Sequence, residues 1–81
     1  ANAATVFADR VDESVQRLVD FPLQGRIIPE LERHNISQYR EIDLSPWRLF
    51  YRPANDRIYI LAVIDGRRNI EDILLRRIIR E

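Results

Sequence analysis

The sequence predicts an α+β domain, in which helices pack on one side of a small antiparallel meander sheet. Apolar residues recur at helical spacing near both ends of the chain, over residues 3–20 and 70–80. Between them, residues 39–44 and 47–53 alternate in polarity and residues 57–65 are nearly all apolar, as in strands. The breaks between these three segments are short, which favours consecutive hairpins.

The first helix is predicted from an apolar face that continues to the end of the segment. That face contains Ala4, Phe7, Val11, Ser14, Val15 and Leu18. Asn2 can cap the start of the helix, and Phe21-Pro22 ends it. Residues 23–38 follow without a clear period. Gly25 supplies a turn there, and Pro29 blocks a regular central strand.

The three strands are separated by turn signals. Ser45-Pro46 breaks the first from the second, and residues 53–56 form a strong turn before the third. The apolar run at 57–64 is typical of a central strand covered on both faces. Such a strand needs a neighbour on each side. The chain also begins inside a helix without methionine, so an N-terminal piece is expected to be missing.

The last helix is predicted from its cap and its charge order. Asn69 caps it, acidic residues occupy its first turn, and arginines occupy its last. Its apolar stripe is wider than one small sheet needs, which indicates a partner site. The stripe contains Ile70, Ile73, Leu74, Leu75, Ile78 and Ile79. The predicted core of the domain is Phe7, Val11, Leu18, Ile42, Leu44, Leu49, Ile60, Ala62, Ile64, Ile73, Leu74 and Ile78.

Composition limits the function. A chain of 81 residues forms one domain, residues 1–81. Without cysteine it has neither a disulfide framework nor a thiolate metal site, and neither a metal nor a cofactor is expected. No signal peptide or spanning segment is seen, so a cytoplasmic protein without membrane contact is expected. All thirteen basic residues are arginine, which grips phosphate and carboxylate but does not transfer protons. Genomic base composition is an equally good reason for this usage.

Four segments, in order, resemble motifs of the ParE/RelE superfamily of type II toxins, which includes plasmid stabilisation proteins. Residues 21–31 are similar to its P-x-x-G-R-x-x-P-E-L segment. Residues 39–42 resemble its R-E-aliphatic strand, and residues 47–52 its aromatic-R-aliphatic-x-Y-R strand. Residues 58–68 resemble the strand that leads into its x-R-R sequence. The resemblance implies a small antiparallel sheet with helices on one side. Members of the superfamily usually begin with a strand and a helix before the point where this chain starts, so the resemblance implies that an N-terminal strand and helix are missing. It also implies a ParD- or RelB-like antitoxin that wraps the toxin, in a homo- or hetero-oligomer.

The resemblance leaves two activities open. In the branch that cleaves messenger RNA on the ribosome, residues matching Arg48 and Arg68 hold phosphate, while lysines and a tyrosine move protons. This chain has no lysine, and Leu74 falls at the tyrosine position. Glu41 or His34 could serve as a base. The ParE branch inhibits DNA gyrase by binding and needs no such groups. Gyrase inhibition by a protein that is not an enzyme is therefore predicted, with an mRNA interferase as the alternative.

Candidate site residues follow from these comparisons. Phosphate or antitoxin contact is predicted for Arg48, Arg67 and Arg68, and an RNase would use Arg48, Arg68 and Glu41. Partner binding is predicted for Ile73, Leu74, Arg76, Arg77 and Arg80. Other roles remain open: Arg48 can pair with Glu41 or Asp43 across the hairpin. Arg76, Arg77 and Arg80 can serve the helix terminus. Trp47, Phe50, Tyr51 and Tyr59 can be core residues, and His34 can simply be exposed.

Overall fold

A computed structural model describes residues 2–80, the side chain of Arg80 excepted. It contains three helices and four strands within that range. In chain order they are α1 (Ala3–Asp20), β1 (Arg26–Ile27), α2 (Pro29–Glu32), β2 (Arg40–Leu44), β3 (Trp47–Pro53), β4 (Ile58–Asp65) and α3 (Ile70–Arg80). The strands form one antiparallel sheet in the order β1-β2-β3-β4. The predicted α+β class, both long helices and the three-strand meander are confirmed.

Both predicted helix caps are present. The Asn2 side chain accepts a hydrogen bond from the Thr5 backbone N–H at 2.9 Å. The Asn69 side chain accepts one from the Asp72 backbone N–H at 3.2 Å. Each bond satisfies a backbone donor that the first turn of a helix leaves unpaired. None of the helices within residues 2–80 combines the length and the apolar character that crossing a membrane requires.

The segment predicted to be irregular contains two short elements. β1 pairs with β2, and α2 follows with Pro29 in its first turn, where a missing N–H costs nothing. Ile28 and Leu31 are fully buried beneath this segment. Elements this short contain too few residues to show a periodic pattern in the sequence. Burial and strand pairing, rather than a local pattern, hold them in place.

The helices lie on both faces of the sheet, which corrects the predicted one-sided arrangement. The reason is the alternation of β3, whose side chains point to opposite faces and are large and apolar on both. On one face, Leu49 and Tyr51 pack with Leu18 of α1. On the other face, Phe50 packs with Leu74 of α3. The sheet is therefore the middle of three layers.

β4 is an outer strand rather than the predicted central one. The pairing Phe50↔Ala62 and Tyr51↔Ile60 leaves Leu61 as an extra residue, so the facing of β4 changes at that point. Ile60 lies on this outer strand and is 43% exposed, so its predicted place in the core is wrong.

The rest of the predicted core is mostly correct. Five of its members are buried, namely Leu18, Leu44, Leu49, Ile64 and Leu74. Six are half-buried, namely Phe7, Val11, Ile42, Ala62, Ile73 and Ile78. The prediction omitted six buried apolar residues: Ile28, Leu31, Tyr39, Phe50, Tyr51 and Ile70.

Candidate functional site

Four charged side chains form a network on the α3 side of the sheet. The Arg48 guanidinium of β3 donates to both carboxylate oxygens of Glu30 in α2, at 2.7 and 2.8 Å. Its Nε donates to Glu41 of β2 at 2.7 Å, and its Nη2 donates to the same oxygen. Arg26 of β1 donates to the other Glu41 oxygen at 2.5 Å. The network joins three strands and α2, and it contains two positive and two negative charges.

Burial makes this network costly to break. The side chains of Glu41, Arg48 and Glu30 are 4%, 16% and 21% exposed. The hydrogen bonds from Arg48 hold the pKa of Glu30 below its ordinary value. The same bonds to Glu30, with those to Glu41, raise the pKa of Arg48. A phosphate could therefore reach the Arg48 guanidinium only by displacing carboxylates that it already binds.

The predicted alternative in which Arg48 pairs across the hairpin is observed for Glu41 only. Asp43 instead accepts hydrogen bonds from the Ser45 backbone N–H at 2.8 Å and from its hydroxyl at 2.6 Å. Glu30 was not predicted as a partner of Arg48. The P-E-L motif that contains Glu30 was the one signal in the sequence that pointed to it.

We expect Glu30→Gln to change how stability depends on pH. A carboxylate whose folded pKa is lowered stabilises the fold above its unfolded pKa, near 4.5, and this contribution disappears as the pH falls through the folded pKa. At pH 7 the variant should lose about 1–2 kcal/mol of unfolding free energy. That difference should shrink towards zero in acid, because Glu30 itself becomes protonated in the wild-type protein. The other carboxylates titrate in both proteins, so their effects cancel in the difference. Urea denaturation at pH 7, 4.5 and 3 tests this, and parallel curves would contradict it.

A second polar cluster holds the loop after α1 against the sheet. The buried Tyr51 hydroxyl donates to the Pro22 carbonyl at 2.8 Å and accepts from the Gly25 N–H at 2.9 Å. Burial raises the pKa of this hydroxyl. A Cβ atom on Gly25 would lie 2.5 Å from the Glu41 carbonyl oxygen and 2.8 Å from Tyr51. The glycine of the P-x-x-G motif therefore allows the loop backbone to pack directly against the sheet, where a side chain would not fit.

The two arginines before α3, Arg67 and Arg68, differ in their contacts. Arg67 is bound to Asp65 through Nε at 3.0 Å and Nη2 at 2.7 Å. These hydrogen bonds lower the pKa of Asp65 to about 2. Arg68 is exposed and takes part in none of the ion pairs between residues 2 and 80. Of the two, Arg68 has the guanidinium that an anion can reach without competition.

α3 uses most of its apolar stripe inside the protein. Ile70 and Leu74 are buried, and Ile73, Leu75 and Ile78 pack against the same core. Leu74 is fully buried and offers no surface to a partner. Ile79, at 80% exposure, is the apolar residue of α3 that faces outwards. The stripe is wide because α3 covers both α2 and the sheet.

The arginines of α3 differ in their surroundings. Arg76 pairs with Asp72 at 3.0 Å, one helical turn earlier. Arg77 is exposed. The Arg80 side chain lies outside the described residues, and so does the predicted contribution of that side chain to a partner surface.

His34 connects α2 to α3. Its Nε2 lies 2.6 Å from a carboxylate oxygen of Glu71, and Arg33 donates to the other oxygen at 3.1 Å. The hydrogen bond with His34 lowers the pKa of Glu71. The His34 side chain is 42% exposed, as predicted, but it is engaged rather than free. Within residues 2–80, no group of three or more histidine and carboxylate side chains is placed to hold a metal ion.

Comparison with known proteins decides the family. Residues 1–70 match the sequence model of a family described as the ParE toxin of the type II toxin–antitoxin system, parDE. The chain belongs to the ParE toxin family. No curated protein and no solved structure matches it.

Membership of the ParE family makes this chain the toxin of a toxin–antitoxin pair, with an antitoxin as its partner. The matched region extends from α1 to the first residue of α3. It contains the ionic network, the Tyr51 cluster and the Arg67-Arg68 pair. Most of α3 lies beyond the match, so the assignment depends on the sheet and the elements that precede it.

Proposed function

We propose that this ParE-family toxin inhibits DNA gyrase by binding it and does not cleave RNA. The observation that carries the proposal is the state of Arg48. This residue resembles a phosphate-binding arginine of the RNase branch, yet Glu30 and Glu41 occupy its guanidinium. An RNase that relied on Arg48 would need to break a buried ionic network at each encounter with its substrate.

The groups available for proton transfer support the same conclusion. RNA cleavage through a ribose hydroxyl needs a base and an acid beside the scissile bond. Glu41 is 5% exposed and is bound by two guanidinium groups. Leu74, at the position of the RNase tyrosine, is fully buried. Inhibition by binding requires neither group, only a surface that fits the target.

The end of the molecule that contains Arg68 is our candidate for contact with gyrase. Arg68 is exposed and free of ion pairs among residues 2–80, whereas Arg67 is bound to Asp65. Arg77 and Ile79 are exposed on the adjoining helix. Arginine is enriched in protein interfaces relative to the rest of the protein surface.

We expect the toxin to inhibit gyrase-dependent DNA supercoiling, and Arg68→Ala to weaken that inhibition about tenfold, the effect of losing one interface arginine. Arg57→Ala is the matched control, because Arg57 is a similarly exposed arginine in the β3–β4 turn. A second assay measures cleavage of a message programmed on ribosomes. Codon-specific cuts that disappear in Arg68→Ala, with supercoiling unchanged, would place the chain in the RNase branch instead.

A further inference from the structure

Asp65, the last residue of β4, closes the turn that carries the exposed Arg68. Its carboxylate accepts a hydrogen bond from the backbone N–H of Arg67 at 2.9 Å. Its backbone carbonyl accepts another from the N–H of Arg68 at 3.1 Å. Aspartate is favoured at the first position of such a turn, because its short side chain reaches the N–H two residues later. One residue therefore holds residues 65–68 in shape through both its main chain and its side chain.

The turn is anchored to the rest of the fold at both ends. On the side of β4, the Gly66 N–H donates to the Pro46 carbonyl at 2.8 Å. On the side of α3, the Asn69 carbonyl accepts a hydrogen bond from the Ile73 N–H at 3.2 Å, and the Asn69 side chain caps the helix. Arg68 lies between these two anchors, so its side chain projects from a backbone that is already ordered.

The Asp65 carboxylate also occupies the guanidinium next to Arg68. Both of its oxygens accept hydrogen bonds from the Arg67 side chain, at 3.0 and 2.7 Å. Because these bonds lower the pKa of Asp65 to about 2, the carboxylate stays ionised and the pair persists at neutral pH. Arg68 takes part in none of the ion pairs formed within residues 2–80. The turn therefore presents one unoccupied guanidinium where the sequence has two adjacent arginines.

We propose that Asp65 is a positioning residue, which holds the turn that presents the Arg68 guanidinium to an acidic group of the target. The inference deepens the proposed function and rests on it, since Arg68 is the candidate contact with gyrase. Asp65 itself does not touch the target and acts only through the turn. An arginine on an ordered turn loses less conformational freedom on binding than one on a mobile loop, so the turn increases affinity without adding a contact.

Amide hydrogen exchange, measured by NMR, tests the turn without gyrase. Asp65→Ala removes the carboxylate acceptor and should speed exchange at Arg67 and Arg68 by at least about fivefold, the factor that loss of one hydrogen bond produces. Asp65→Asn keeps an acceptor oxygen at the same distance along the side chain, so its rates should stay within about twofold of wild type. Equal rates in wild type and Asp65→Ala would overturn the proposal.

Two further variants separate the turn from charge and from folding. Asp65→Glu keeps the charge but moves the carboxylate one methylene further from the Arg67 N–H, so its exchange should resemble that of Asp65→Ala. It also serves as the test if a thermal melt shows that Asp65→Ala does not fold. Asp56→Ala is the matched control, because Asp56 is an exposed aspartate beside Arg57 in the β3–β4 turn, and it should leave the exchange rates unchanged. Wild-type exchange rates in Asp65→Glu would contradict the proposed turn.

The supercoiling assay then measures what the turn does for inhibition. Asp65→Ala should raise the half-inhibitory concentration about fivefold, less than Arg68→Ala, because the guanidinium remains but must be ordered on binding. Asp65→Asn should stay within about twofold of wild type, since it keeps the turn. In the Arg68→Ala background, Asp65→Ala should add less than about twofold, because no guanidinium is left to position. Additive effects of the two substitutions would show that Asp65 acts independently of Arg68, which overturns the proposal.

The two assays distinguish failure of the turn from failure of the target. A wild-type toxin that does not inhibit gyrase, with the expected exchange pattern, would reject the proposed target and support the positioning of Arg68 by Asp65. Inhibition by wild type, with exchange unaffected by Asp65→Ala, would reject the positioning and leave the target standing.

Discussion

Arg48→Met should lower the free energy of unfolding by about 3 kcal/mol, the lower end of the effect of breaking a buried ion pair from one side. The substitution keeps much of the aliphatic volume but removes the positive charge between Glu30 and Glu41. The Glu41 side chain is 4% exposed and, among residues 2–80, then keeps only Arg26 as a charged partner. Urea denaturation at neutral pH measures the loss. For a small domain of marginal stability, this is a large fraction of the total.

Two companion variants show whether the charge is responsible. Arg57→Met removes an arginine that is 71% exposed, so its unfolding free energy should change by less than about 0.5 kcal/mol. Adding Glu41→Gln to Arg48→Met removes the more deeply buried of the two carboxylates that Arg48 binds and should restore part of the loss. An Arg48→Met midpoint equal to that of wild type would show that the network does not hold α2 and the strands together.

The long elements were predictable because their patterns are local. Caps at Asn2 and Asn69 and the alternation across β2 and β3 are visible within a few residues of sequence. The side of the sheet on which each helix packs cannot be predicted from such local patterns. β3 carries Leu49 and Tyr51 on one face and Phe50 on the other, a pattern that requires cover on both faces. An apolar strand can lie at the edge as well as at the centre, so composition alone misplaced β4.

The site was predictable in its residue types but not in its partners. The arginine at position 48 was identified, together with an ion pair to its hairpin neighbour Glu41. Glu30 lies 18 positions earlier in a four-residue helix, so no periodicity connects the two. The exposed apolar residues at the end of α1 escaped prediction for another reason. Phe21 and Leu23 flank a proline that ends a helix, and their exposure depends on how the sheet holds that loop.

Gly25→Ala should be among the most damaging single substitutions in this toxin. The new Cβ atom would lie 2.5 Å from the Glu41 carbonyl oxygen, a backbone atom in the middle of the sheet, and 2.8 Å from the Tyr51 ring and hydroxyl. The loop must move away, which breaks the Tyr51 bonds to Pro22 and Gly25. Overpacking of this kind costs about 1–3 kcal/mol, and a buried polar group left unpaired adds about 1–3 kcal/mol. We expect about 3 kcal/mol in urea denaturation.

Gly66→Ala is the matched control for this steric effect. Its Cβ atom would lie 3.2 Å from the Arg48 Cδ atom and 3.3 Å from the Pro46 carbonyl oxygen. Shifts of a few tenths of an ångström relieve both contacts, so the cost should stay below about 1 kcal/mol. The backbone of Gly25 has no positive φ, so conformational strain is not the cause of the expected loss. A Gly25→Ala protein as stable as Gly66→Ala would mean that the loop does not depend on its close contact with Tyr51.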